Sequence, residues 1–520
     1  MSTKQNRTEQ DSHTVSRRTV IGMGVSLACV REVVAQVTSG AKDPKSADLY
    51  YESLSDLAQR IRRREVSSVE VTTAQLARIE LIDSRLHAYV AVLADSALAQ
   101  ARKMDRDLAV GRYAGPLHGV PMAVKDLFLT RGVPTKGGTR VLANVIPERN
   151  ATVVDRLEQA GAVLLGKLNM TEGALAGYHR DFSVPRNPWG DNRWPGWSSS
   201  GSGVATAAGL CYASLGTDTG GSIRYPSAAN GVVGVKPTWG RVSRFGVLPL
   251  APSLDHVGPM TRRVLDAAIV LQVIAGDDAN DPTSLTDPVP DYVRESGKGI
   301  RNVRIGFDDA YATRALPTYV ADSLRRAIGD LERLGARIVQ VQMPTMEPAD
   351  LANLWNTLCA AEAFAAHEST FRARPDDYGV LFGQFLQTGS GITGSEYARA
   401  RAAQTELNGK VRRALRAIDV LACPTASAEA PIYDPELAYG GRDATTYAGI
   451  PLSYLRAGSR FVFPFDFNGY PTLSLPCGQS EDGFPLSLQF VGNPLSEAML
   501  FRVGRAYEDA TAWHRRHPPI

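Results

Sequence analysis

Between Gly196 and Gly258 the chain is dense in glycine and serine, which suggests a linker, yet runs of Ala, Val, Leu and Ile recur inside it. A solvated linker has no use for such runs, because apolar side chains gain by leaving water. The combination predicts backbones that approach one another closely, with glycine where a Cβ would intervene. Such a segment needs packed elements around it. The 520-residue chain, 44% hydrophobic, is ordinary for a protein with a sizeable buried core.

On either side of this centre the pattern alternates between helix and strand. Ser53 to Leu86 carries apolar residues at three-to-four spacing, broken at SSVE, where Ser67 or Ser68 can cap a second helix with Glu70 in its first turn. Ala151 to Asn169 reads as a helix running through a glycine into the short strand AVLLG. Asn302 to Asp309 reads as a strand, Val320 to Gly335 as an amphipathic helix, and Ala336 to Pro344 as another strand. Residues 347–416 read as a mostly helical insertion with an aromatic-rich stretch at Phe382 to Tyr397. Short strands VLACPTA, TLSLPCG and LSLQFVG follow, then a helix over Ser496 to Thr511. This succession predicts an α/β fold, a central mixed β-sheet covered by helices on both faces.

Lys plus Arg number 57 against 54 Asp plus Glu, a net charge of +3 that is close to neutral for this length. The clusters Arg60 to Arg64 and Trp513 to His517 lack interleaved aromatics and read as solvated faces, not as a nucleic-acid groove. Residues 1–40 are set apart from the body at 50–520. Twin arginines Arg17-Arg18, the run IGMGVSLACV and a small residue at Ala35 resemble a Tat export signal, which predicts a periplasmic or secreted protein; the alternative is a disordered basic start on a cytoplasmic one. No later segment reaches 18 uninterrupted apolar residues, so no membrane association is expected of the mature chain. Cys211, Cys359, Cys423 and Cys477 are scattered without a CxxC and read as buried apolar side chains; no metal site is expected.

The chemistry concentrates in Leu215 to Pro226, LGTDTGGSIRYP. Glycines beside a serine can present consecutive N–H groups to one point above the hydroxyl, as an oxyanion hole requires. There is no GxxxxGK[ST] phosphate loop, and Ser222 is not in a GxSxG elbow. A serine needs a base. His118 and His256 read as structural, whereas Lys125 ends the apolar run Val120 to Val124. A lysine drawn into a buried site loses hydration, which favours its neutral, basic form. Asp126 reads as a counter-charge only.

Taken together, GVPMAVKDLF, PGWSSSGSGVATAAG, LGTDTGGSIRYPSAANGVVGVKPTWGRVSRFG and PFDFNGYPTLSLPCG with GFPLSLQFVG resemble the amidase signature family of serine hydrolases, from about Tyr50 to the C-terminus. The resemblance implies a single large fold, no cofactor, and a Ser–cis-Ser–Lys triad. Carried over, Ser222 is the nucleophile, Lys125 the base and Ser198 the relaying serine. Thr219, Gly220, Gly221 and Ser222 supply the oxyanion hole. Asp218 and Arg224 form a buried pair behind the loop, and Ser199 is a supporting hydroxyl near the lysine. Where the family has GGSSGGS this chain has GWSSSGS, with Trp197 and Ser200 in place of glycines. In relatives the bond before the relay serine is cis; a cis Trp197–Ser198 bond would cost ~2.5–4 kcal/mol.

The resemblance implies hydrolysis of a carboxamide through an acyl-enzyme, with carboxylesterase activity in the same site or a noncatalytic binding subunit as alternatives. Near-neutral charge and an export signal argue against a tRNA amidotransferase role. Met170, Trp197 and Tyr178 are the expected pocket residues, and Trp194, Phe382 and Phe385 fit an aryl or acyl amide. The expected partner is a small-molecule amide, with no nucleic acid. A homodimer is left open.

Overall fold

The apolar runs form strands, and eleven of them join one sheet. The computed structural model describes residues 49–441 and 445–520. In chain order the strands are β1 Tyr89–Val92, β2 Pro121–Lys125, β3 Val163–Leu168, β4 Ala213–Asp218, β5 Val233–Lys236 and β6 His256–Thr261. They continue with β7 Arg304–Phe307, β8 Arg337–Gln340, β9 Val420–Pro424, β10 Thr446–Tyr447, β11 Ile450–Pro451, β12 Thr472–Gln479 and β13 Pro485–Gly492. The main sheet runs β1-β3-β2-β4-β6-β5-β12-β13-β9-β7-β8, and β10 pairs with β11 apart from it.

The sheet is mixed. β3, β2 and β4 are parallel neighbours, as are β8, β7 and β9, and antiparallel pairs join the two groups. Every residue of β2, β3, β4, β6, β9 and β13 is buried, so both faces of the sheet are covered. The helix Ser200–Ala207 packs on β2, β3, β4 and β6, and Val264–Ile274 packs on β4, β5 and β6. Close backbone approach is real: a Cβ on Gly258 in β6 would lie 1.9 Å from the Val235 carbonyl oxygen of β5.

Local signals act as the sequence reading requires. Ser67 and Glu70 form a reciprocal capping box at the start of the helix Ser68–Leu86, satisfying two N–H groups left free by helix geometry. Helices Pro348–Ala373, Val380–Gly391 and Gly394–Leu415 occupy the stretch read as helical. Tyr50–Ile520 forms one unit. No helix among the described residues is long and apolar enough to cross a membrane. The export segment expected over residues 1–40 lies outside the described residues.

Candidate active site

β2 and β4 lie side by side in parallel, with Val124 opposite Leu215, so their C-terminal ends share one edge of the sheet. Open α/β sheets present their sites at such edges. Lys125 is the last residue of β2, behind four buried residues, and is itself fully buried. Its Nζ lies 2.7 Å from Ser198 Oγ and 2.8 Å from Thr217 Oγ1. Burial pushes the Lys125 ammonium well below its ordinary pKa, against the opposing pull of Asp255 and Asp218. A neutral amine has one lone pair and two N–H groups, so it can accept from one hydroxyl while donating to the other.

Ser199 supports the lysine through Thr217, with no hydrogen bond to Nζ among the described residues. Its hydroxyl donates to the Thr217 carbonyl, at 3.1 Å, and accepts from the Thr217 amide, at 3.2 Å, fixing the residue whose side chain holds Nζ. Ser202 Oγ donates to the Leu215 carbonyl further back along the same strand, at 3.2 Å.

The loop after β4 carries Ser222, and Asp218 organises it. The Asp218 carboxylate accepts from the Gly221 amide at 2.6 Å, the Ile223 amide at 3.0 Å and Arg224 Nε at 2.9 Å. Arg224 also donates to Asp466, at 2.7 Å, and all three side chains are fully buried. The two carboxyls are unequal. Burial opposes ionisation of Asp218, but the bidentate guanidinium overcomes it and holds the carboxyl far below the usual range. For Asp466, burial wins over Arg224, and the carboxyl is raised well above its usual value.

Two expectations are corrected at this loop. Gly221 sits at φ +107°, where a Cβ would also lie 2.6 Å from the Tyr225 ring, and its N–H is committed to Asp218. Gly221 is therefore not an oxyanion donor. Thr219, Gly220 and Ser222 do line the cavity, and their amides have no protein acceptor among the described residues. Second, the peptide bonds of the described residues include no cis bond, so Trp197–Ser198 is trans, the lower-energy form for a bond not preceding proline. In this geometry the Ser198 amide donates to Ser222 Oγ, at 3.3 Å, while the Ser198 hydroxyl faces Lys125.

Ser222 opens on a cavity of about 790 Å³, a size typical of small-molecule sites. Trp197 stands in its wall, edge-on to Trp194 at 5.2 Å between ring centroids. Phe385 lines it as expected, but four proposed pocket residues do not, and one of them, Trp194, is 2% exposed and packs among Trp197, Tyr225 and Tyr454. Met170 is 1% exposed and Phe382 0%, both packed in the main core, where apolar surface is most fully removed from water. Tyr178 is buried with its hydroxyl 2.6 Å from Ser200 Oγ, so both polar tips are satisfied within the protein. Among the described residues no cluster of His, Cys, Asp or Glu is arranged to hold a metal ion.

The amidase family model matches residues 70–501. The chain belongs to the amidase family. AmiD of Mycobacterium tuberculosis, a putative amidase, is 41% identical to this amidase over 90% of the chain and 96% of its own length. A glutamyl-tRNA(Gln) amidotransferase subunit from Moorella thermoacetica is 39% identical, over 91% and 99% of the two chains. Among solved structures, native peptide amidase from Stenotrophomonas maltophilia superposes with a TM-score of 0.76 at 33% identity, covering 90% of this chain and 98% of the other.

Sequence reasoning missed several residues of this amidase site. Thr217 was in view within LGTDTGGS, and its parity with Leu215 along β4 was the available signal. Asp255 accepts from Thr219 Oγ1 at 2.6 Å and from the amides of Leu250 and Ala251. Trp355 Nε1 donates to the Thr219 carbonyl at 2.8 Å, and its ring stacks on Phe463 at 5.3 Å. Nothing local marks these distant residues.

Proposed function

We propose that this amidase hydrolyses a carboxamide through an acyl-enzyme on Ser222, with Lys125 as base and Ser198 between them. The observation that carries the reading is a fully buried lysine 2.7 Å from Ser198 Oγ, with Ser198 held against Ser222 at the base of a large cavity.

Ser222 Oγ attacks the amide carbonyl carbon as its proton passes to Ser198 Oγ and the Ser198 proton passes to Lys125 Nζ. The Ser198 N–H stabilises the oxygen that loses its proton. The carbonyl electrons move onto oxygen, where the amides of Thr219, Gly220 and Ser222 can receive it. Collapse expels the amine, protonated by the reverse relay, and water then repeats the cycle on the ester to release the carboxylate. The carbonyl and hydroxyl chemistry is the same for esters, so carboxylesterase activity belongs to the same site.

Likeness to the amidotransferase subunit supports a second outcome, in which the released ammonia is used by a partner. Turnover by the isolated chain distinguishes them. Ser222→Ala should abolish amide turnover and fluorophosphonate labelling while the protein remains folded; a folded variant that still hydrolyses amide overturns the reading.

A further inference from the structure

The cavity wall is polar at its mouth but almost uncharged. Among the described residues, Asn353, Asn356, Gln384 and Gln387 line it, no Asp or Glu does, and Arg456 is the single charged lining side chain. Arg456 is exposed and has no ion pair or side-chain hydrogen bond among the described residues. A cation without an ion-pair partner, in a concave wall whose described residues include no acid, attracts anions and offers nothing to a cationic substrate.

The helix Leu452–Phe467 supplies a ruler. Leu452, Leu455, Arg456, Ser459 and Phe463 line the cavity at three-to-four spacing, one face of the helix. At its far end the Val462 carbonyl accepts from Arg224 NH1, at 3.1 Å, directly behind the Ser222 loop. Arg456 lies six residues earlier, about 9 Å along the axis at the helical rise. Leu455 and Phe463 on this face line the cavity together with Trp197, Trp355 and Phe385, which gives it an apolar wall.

From this we infer that the amidase selects amides carrying a carboxylate separated from the scissile carbonyl by an apolar spacer, and that Arg456 binds the carboxylate. The inference rests on the assignment of Ser222 as nucleophile. Arg456 is a specificity residue: it touches the distal end of the substrate and takes no part in bond making.

The test uses two probe pairs on the full chain. One pair is the monoanilide of azelaic acid and that of omega-hydroxynonanoic acid, which places the anion on the acyl side. The other is N-acetyl-omega-aminononanoate and the matching alcohol, which places it on the amine side. In one pair the acid should exceed the alcohol in kcat/KM by roughly tenfold, through KM, with the advantage shrinking as salt rises. Within each variant, Arg456→Gln should bring that ratio close to one, Arg456→Lys should keep part of it, and Arg456→Glu should invert it. A wild-type ratio near one in both pairs, or a ratio unchanged in Arg456→Gln, overturns the inference while the amidase reading stands. Amide turnover surviving in Ser222→Ala overturns the nucleophile assignment instead. If none of the probes is turned over, calorimetric binding of azelate decides: equal affinity for wild type and Arg456→Gln rejects the carboxylate site.

Discussion

The loop Asp218–Arg224 and the helices Pro348–Ala373 and Val380–Gly391 meet the same cavity and are built on opposite terms. In the loop, Asp218 takes three amides and a guanidinium, Asp255 fixes Thr219, and Arg224 spans two carboxyls. On the helices, Asn353, Asn356 and Gln384 are exposed at the mouth, with no protein partner for their side chains among the described residues. Bond-making groups need fixed positions, since small displacements cost large factors in rate. Groups that choose among substrates can change with little effect on the fold. Damage to the loop should therefore register in rate and stability, and damage to the mouth in KM.

The largest effect tests the loop at its centre. Ser222→Ala and Lys125→Ala should each lower kcat by at least roughly a thousandfold, because removing one member of a coupled nucleophile–base unit disables the whole. Circular dichroism melts of both variants should still show a cooperative fold. Next comes Arg224→Met, which leaves the Asp218 charge buried without its partner and should destabilise by about 3–5 kcal/mol in urea unfolding. Asp466→Asn is the control on the same guanidinium. Because burial already holds Asp466 toward its neutral acid, the amide should cost no more than about 1 kcal/mol. Equal losses for the two variants would erase the asymmetry between the carboxyls.

Proton linkage at Lys125 gives the next effect, and its sign follows from burial. An unfolded lysine titrates near about 10.4, and the folded value lies well below that. Between the two, the unfolded chain binds a proton that the native chain does not, so native stability falls as pH drops from about 10 toward the folded value, at up to about 1.4 kcal/mol per pH unit. Below the folded value the loss is constant. Lys125→Met lacks this term, so the stability of wild type relative to Lys125→Met should rise from neutral pH toward pH 10, read from urea midpoints. For the same reason kcat/KM of wild type should fall on the acid side with a one-proton slope. A stability difference flat across that range would show that Lys125 keeps its charge in the fold.

How much of this was legible in sequence depends on the distance over which each feature is encoded. β2 and β4 are buried runs that end at chemistry-bearing residues, so Lys125 and Ser222 stand out within their own segments. The order of the sheet does not, because β12 and β13 sit between β5 and β9, and β12 reaches β5 by antiparallel pairing across more than two hundred residues of chain. Met170 and Tyr178 mislead for a related reason. An apolar side chain beside a catalytic strand reads alike whether it points to core or cavity, and only tertiary packing decides. The same ambiguity hid Trp355 and Phe463, whose helical stripes look like any core-facing stripe. Gly221 is subtler: its motif is local, but the direction of its N–H depends on Asp218 folding back beneath the loop.

Trp355 tests where the two regions meet, because it belongs to a mouth helix yet donates to a loop carbonyl. Trp355→Phe keeps a ring to stack on Phe463 and removes only the Nε1–H at the Thr219 carbonyl. The lost hydrogen bond should cost about 0.5–1.5 kcal/mol of stability. Thr219 also hangs from Asp255 through its hydroxyl, so the loop retains one tether when the other is cut. The expected kinetic result is a drop of a few-fold in kcat with KM little changed, since the displaced atom lies beside the carbonyl oxygen's site and not along the substrate's body. A variant that raises KM at constant kcat would place Trp355 with Asn353 and Gln384 as a substrate contact, and would move the boundary between the two regions to the Thr219 carbonyl itself.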